Sequence, residues 1–351
     1  MFNTFYLTVA TVLEFPLNTL FGWLTRIFYN FFGNYGLAII ALTVVIRALM
    51  IPLNISSQRS MLKTQTLQSK QLEIQKKYPD DKQKQQEEMT KMMQENGAMG
   101  FSGCLLSILQ LVFIWPIYRV VEAPLKYLAQ VSEDNIVNMF NLANDNGLTS
   151  LVKNLTSEKL AKSNNIPLIE LLNKNSDFFR DCISKGYIKA GQLMDLHFLG
   201  MDLTKVPSIS PKDYMSDPKT YFPLLVIPIL VVLTSVISMQ LSNVFRPDYK
   251  EKKAAKKNPA RGQVNDPNSS AEMTTKLMTW MMPILMLVTT FTLPAAMGVY
   301  WVVGGIMGIL TQVLVYFLLT KPFTEKKEEL ERMRSDICKK KKNKNGKKAK
   351  A

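Results

Sequence analysis

"LAIIALTVVIRALMIPL", residues 37–53, is apolar at almost every position and nearly long enough to cross a bilayer, yet Arg47 stands inside it. A helix rises about 1.5 Å per residue, so roughly 20 apolar residues are needed to traverse a ~30 Å hydrocarbon core. The window around this stretch, 36–53, holds 18 residues, at the short end of that range. A guanidinium at mid-bilayer costs roughly 2.5–3.5 kcal/mol on insertion scales, and here no acidic residue is near in sequence to pair with it. Two readings are open. Arg47 lies six residues from the end of its window, or ~9 Å, so its side chain can stretch toward head groups. Alternatively it faces a water-filled cavity bounded by other spans.

Further windows without acidic residues recur at 103–121, 221–244, 277–295 and 296–319. Lipid offers no partner for unpaired backbone groups, so spans of this length are expected to be helical. "LPAAMG" at 293–298 breaks the last two windows, which reads as a tight helical hairpin. The expected fold is therefore an all-α integral membrane protein with a five-span bundle. The chain is 47% hydrophobic while carrying a net charge of +15, so its apolar residues are concentrated in blocks. Its three cysteines, Cys104, Cys182 and Cys338, fall in separate compartments under this topology, which leaves no disulfide framework. With a single histidine, His197, outside the spans, neither a cofactor, a metal cluster nor His-dependent catalysis is expected, and the chain reads as a non-enzyme.

Lysine and arginine set the orientation. Segment 54–100 holds 8 basic and 6 acidic residues, 245–276 holds 8 and 4, and 320–351 holds 13 and 5. The loop 122–220 is near neutral, with 11 basic and 12 acidic residues, and segment 1–35 holds only Arg26 and Glu14. This alternation places the N-terminus outside and the C-terminus in the cytoplasm of a multi-pass protein of the cell membrane. The first segment lacks the basic region of a signal peptide. From Leu17 onward, Leu20, Phe21, Leu24, Ile27, Phe28 and Phe31 repeat at helical spacing, which describes an amphipathic helix lying in the outer interface over 1–35. A sixth, tilted span over 1–24 is the alternative.

On the cytoplasmic side, 54–100 reads as a helical hairpin, with Pro79 ending one helix and Asp80–Asp81 capping the next. Its apolar stripe is thin: Met61, Leu67, Leu72 and Ile74 against Met89, Met92 and Met93. Segment 245–276 is a basic loop. The tail 320–351 ends in a lysine run whose Lys339, Lys340, Lys341 and Lys342 suit anionic lipid or ribosomal RNA. Serving as topology signals alone is the plainer reading. The outside loop 122–220 has apolar residues at helical spacing, as in "NIVNMFNLA", and is expected to be a small helical domain. Met273, Met278, Met281, Met282, Met286 and Met297 gather around 277–295, as an adaptable client face or as lipid-facing filler.

The segment "GNYGLAIIALTVVIRALMIPLNISSQRSMLKTQTLQ" resembles the first core region of the YidC-type membrane protein insertases, which include the mitochondrial Oxa and chloroplast Alb proteins. The likeness continues in "GCLLSILQLVFIWPIYRVV", in "DLHFLGMDLTKVPS" with the span after it, and in "MMPILMLVTTFTLPAAMGVYWVVGGIMGILTQ". The resemblance implies a five-span bundle with a hydrophilic groove open to cytoplasm and lipid and closed outward. Arg47 matches the family's groove arginine, Trp301 a groove-lining aromatic, and Gln240 a polar groove residue. Trp301 as lipid-facing bulk and Gln240 as a span terminus are the plainer readings. Leu106, Leu111–Val112 and Gly304 depart from the residues usual in the family (Pro, Met-Pro and Asn), and the 122–220 loop is unusually long.

The implied function is insertion of membrane proteins. A groove holding Arg47 with Thr43, Gln110, Ser238 and Gln240 supplies water within the membrane, so that a client's polar segment enters without losing its hydrogen bonds. The implied partners are nascent membrane proteins, lipid, the ribosome through the basic tail and the Sec translocon, around a monomeric core. A passive assembly scaffold is the main competitor. A transporter needs ionisable groups on several spans and usually an internal repeat. Here only Arg47 and the boundary residue Arg119 are charged within the spans.

Overall fold

A computed structural model describes residues 2–79, 81–97, 103–148, 156–157, 161, 164–247, 249, 280–281 and 283–348, without the side chains of 2–15, 68–69, 72, 76, 103–111, 331, 334–335 and 338–348. Most of the basic loop at 245–276 lies outside them, as do Met273, Met278 and Met282. The described chain is predominantly helical, and its strands are two residues long. Among the described residues, three helices are long and apolar enough to cross a membrane: Tyr35–Thr66, Pro218–Val244 and Ala295–Leu330. The expected second span coincides with a helix at Gly103–Glu122. Of the expected fourth, 280–281 and 283–290 are helical.

The chain divides into two compact units. The first comprises Met1–Leu49, Ile108–Val236 and Leu277–Met307. It opens with one helix, Phe2–Phe32, containing Pro16. That helix stops at Gly33, whose left-handed φ of 63° suits glycine. Asn34 starts the next helix, its Oδ1 accepting from the Leu37 N–H at 3.1 Å. The face of Phe2–Phe32 that packs on protein carries Asn18, Phe21, Gly22 and Thr25, while Leu20, Trp23, Ile27 and Phe31 are exposed. A methyl added at Gly22 would lie 2.9 Å from the Tyr127 ring, so glycine permits this contact. The apolar stripe therefore splits, with Phe21 inward, Leu17, Leu24 and Phe28 half-buried, and Leu20, Ile27 and Phe31 outward.

Within the same unit, helices Glu133–Asp145, Ile166–Lys174 and Ser176–Ser184 bury Ile136, Met139, Leu168, Ile169, Leu172 and Phe178. Ser132 and Asn175 cap two of these helices through their side-chain oxygens. Glu170 is bonded by Lys174 at 2.7 Å and Lys205 at 2.8 Å. Partial burial works against its ionisation, but the two ammonium groups outweigh this and hold the carboxyl below its usual range.

Asn165 ties this domain to the end of the Gly103–Glu122 helix. Fully buried, it accepts from the Leu125 N–H at 3.1 Å and donates its own N–H to the Glu122 carbonyl at 3.1 Å. Asn165→Ala leaves the buried Leu125 N–H unpaired, a loss of about 1–3 kcal/mol. The expected result is faster amide exchange at Leu125 and its neighbours, by roughly fivefold or more, in hydrogen-exchange mass spectrometry.

A hairpin of His197–Phe198 against Met201–Asp202 closes this region. Phe198 fills the space above Gly36, and the His197 carbonyl accepts from Asn34 Nδ2 at 3.2 Å. The carbonyls of Lys205 and Leu203 accept from Ala295 and Ala296, at 2.8 and 3.0 Å. These are first-turn N–H groups of the helix Ala295–Val315, which has no partners for them within itself.

The second unit contains Met50–Ser107, Ile237–Lys276 and Gly308–Ala351. Helices Gln68–Lys77 and Lys82–Glu95 meet through Leu67 and Met92, with Ile74 and Met93 beside them. Asp81 caps the second of these, accepting from the Lys84 N–H at 3.0 Å. The tail is helical over Lys321–Lys348, after one π turn at Tyr316–Thr320.

Candidate functional site

Arg47 occupies the last turn of the helix Tyr35–Leu49, where a cation complements the helix dipole. Twelve residues separate it from Tyr35, so it stands ~18 Å along the helix. The side chain is half-buried and lies against the backbone of Gly304. A Cβ added at Gly304 would sit 2.7 Å from Nη2, 3.2 Å from Nε and 3.3 Å from Cζ. The guanidinium thus occupies the volume that any other residue at 304 would fill. One turn earlier on the same helix, the buried phenol of Tyr300 is its hydrogen-bonding neighbour. Trp301 follows Tyr300 and is itself buried.

Glycine also sets how the Ala295–Val315 helix receives its other neighbour. A methyl at Gly305 would meet Thr234 Oγ1 at 2.8 Å, and one at Gly298 would collide with Ile227. Both glycines and both partners are two helical turns apart, so backbones approach closely along one seam. Thr234 satisfies its hydroxyl on the carbonyls of Leu230 and Val231. Ile306 and Leu310 are exposed at i,i+4 spacing. The buried stripe runs through Met297, Tyr300, Trp301 and Gly304.

The other expected groove residues are placed as follows. Thr43 is fully buried and donates its hydroxyl to the Ile39 carbonyl of its own helix at 2.7 Å. Ser238 and Gln240 belong to the second unit. There the Ser238 hydroxyl accepts from Gln312 Nε2 at 2.7 Å, and Gln240 is exposed. Gln110 is on the helix Gly103–Glu122 and Lys339–Lys342 are on the helix Lys321–Lys348, all with side chains outside the description.

Two polar groups escaped the sequence reading. Tyr300 reads as one more aromatic in "VYWVV", and Gln312 as a residue near a span end. The Gln312 Oε1 is buried without a hydrogen-bond partner, a notable group in an apolar helix. A second polar link in this unit joins Gln58 Nε2 to Thr320 Oγ1 at 3.1 Å. Among the described residues, no group of three His, Cys, Asp or Glu side chains is placed to hold a metal ion.

What this arrangement offers chemically is one permanent positive charge, held on a helix against a glycine backbone and beside a phenol. Comparison with known proteins gives it a context. The membrane protein insertase YidC of Wolinella succinogenes is 41% identical over 106 residues, covering 30% of this chain and 19% of that protein. The insertase YidC of Mesorhizobium japonicum is 36% identical over 131 residues, or 34% of this chain and 22% of that protein. That of Caldanaerobacter subterraneus is 38% identical over 101 residues, or 29% of this chain and 49% of that protein. The matched stretch thus spans between about a fifth and a half of these relatives' own length. The model of the 60Kd inner membrane protein family matches residues 27–321, and the chain belongs to that family.

Proposed function

We propose that this protein is a membrane protein insertase that uses Arg47 to draw the polar segment of a client into the bilayer. The family match supports the class of function. The observation that carries the mechanism is the Arg47 guanidinium held against Gly304 and Tyr300.

In this reading water accompanies the charge into a groove, and a client's polar segment keeps hydrogen-bonding partners that hydrocarbon would deny it. Each unsatisfied group in hydrocarbon costs several kcal/mol, so even a few hydrated positions change the barrier greatly. The positive charge favours clients whose translocated segment is acidic. The apolar helix that follows then leaves sideways into lipid. Trp301 offers this passage a firm wall, and Ser238, Gln240 and Gln110 are further polar contacts for the client.

The topology proposed with it has five spans, with the N-terminus outside and the C-terminus in the cytoplasm. That puts the hairpin 54–100 and the lysine tail where a ribosome emerges, with Lys339–Lys342 as the contact. Partnership with the Sec translocon belongs to the same proposal. An assembly scaffold is the competing reading, and reconstitution separates the two. The purified protein is placed in vesicles with a ribosome-bound single-span client, and insertion is scored by protease protection. Protection of the client's translocated segment, dependent on the protein, is expected. Association without protection makes the protein a scaffold.

A further inference from the structure

Between residues 116 and 198 no large hydrophobic side chain among the described residues is exposed, so the helical domain in that stretch shows a polar surface. The pattern then changes abruptly. Leu199 is 80% exposed, Ile209 74%, Met215 86% and Phe222 59%. Isolated exposed apolar residues are ordinary, but a set confined to one short segment marks a contact.

The backbone carrying these residues is firmly built. Leu199 is at the hairpin tip with a φ of 51°, a left-handed conformation that leucine rarely adopts. Tyr214 donates its hydroxyl to the Ser208 carbonyl, while the Ser208 hydroxyl bonds Asp213. The Tyr214 ring packs on Tyr221 and Phe222, with centroids 6.0 and 5.5 Å apart. This aromatic group stands at the start of the membrane-length helix Pro218–Val244, the level at which tyrosines collect at a membrane interface. From Phe222 the exposed apolar surface continues along that helix through Val226, Ile229, Leu230 and Leu233.

We infer that Leu199, Ile209, Met215 and Phe222 are seated in the lipid leaflet on the side of the 122–220 domain, at the boundary between head groups and acyl chains. The occupant is lipid because the last of these residues, Phe222, lies on the membrane-length helix Pro218–Val244 and begins its run of exposed apolar residues. Lys212 and Lys219 are exposed between the apolar residues, within reach of phosphates. This segment also includes the Leu203 and Lys205 carbonyls that hold the first turn of the Trp301 helix. Lipid contact thereby fixes the depth at which that helix begins.

The test uses the full chain in lipid nanodiscs, with Cys104, Cys182 and Cys338 replaced by Ser. Single cysteines at Leu199, Ile209 or Met215 are spin-labelled, with exposed Arg180 as the aqueous control. Power saturation compares collisions with oxygen and with a nickel chelate. Oxygen is expected to relax the labels at 199, 209 and 215 several-fold more effectively, relative to nickel, than the label at 180. Nickel access equal to that at 180 overturns the inference. Exclusion of both relaxers overturns it too, since protein then covers the patch. These positions are exposed, so labelling them leaves the fold intact.

Discussion

Arg47→Ala is expected to abolish or severely slow the insertion of clients whose translocated segment is acidic, while clients with neutral segments lose far less. Two unit charges 4 Å apart interact by about 4 kcal/mol at an effective dielectric constant near 20. Water in the groove screens part of this. A retained fraction of about 1.4 kcal/mol already corresponds to a tenfold change in rate. The measurement is the rate of protease-protected client appearing in vesicles, for a pair of clients differing only in acidic residues. Arg47→Lys separates charge from shape. Lysine restores the point charge but not the planar group that lies on Gly304. Partial rescue is therefore expected. Full rescue assigns the effect to charge alone, and equal insertion of both clients by Arg47→Ala removes Arg47 from the mechanism.

Gly304→Ala is expected to impair the same acidic clients without weakening the fold. Its methyl would stand 2.7 Å from Nη2 of Arg47, and what it meets is the end of a flexible side chain, which swings away. Alanine in a helix also removes the entropic penalty of glycine, worth roughly 0.5–1 kcal/mol. The prediction is thus a stable protein with a displaced guanidinium. Gly298→Ala and Gly305→Ala are expected to behave oppositely. Their methyls meet Ile227 and Thr234 on a neighbouring helix, and two backbones must separate. Thermal stability in detergent, read beside client insertion, distinguishes the cases. Gly304→Ala lowers insertion at unchanged or raised melting temperature, and the other two lower the melting temperature first.

The helical membrane class was legible where the physics is one-dimensional. Long windows without acids identify helices for lipid. Asp81 after Pro79 announces a helix start, which the Lys84 N–H donating to the Asp81 carboxylate bears out. Arg47 stood out because a permanent charge is costly in hydrocarbon. What periodicity could not reveal is which face of a helix packs. In the first helix the ordering known from water is reversed: Asn18, Gly22 and Thr25 turn toward protein while Leu20, Trp23 and Ile27 are exposed. Thr43 reads as a polar group for a groove, but its hydroxyl is spent on its own helix, an option that composition does not exclude. The contacts of Tyr300 and Gly304 with Arg47 became visible only once two helices, far apart in the chain, were brought together. The two-residue strands at 197–202 are too short for alternation to appear, and in "FLGM" leucine stands where Asn, Asp or Gly usually precedes the turn glycine.

Hydration of the Arg47 guanidinium in the bilayer decides the mechanism. The protein, labelled with nitrogen-15 at arginine and reconstituted in lipid, permits water-edited solid-state NMR together with phosphorus–nitrogen dephasing. Arg47 is assigned by the signal missing from Arg47→Lys. Rapid polarisation transfer from water, with no dephasing by lipid phosphorus, is the expected outcome. A guanidinium that receives nothing from water is dry, and one strongly dephased by phosphorus has reached the head groups. Either result leaves the proposed groove without its wet, cationic centre.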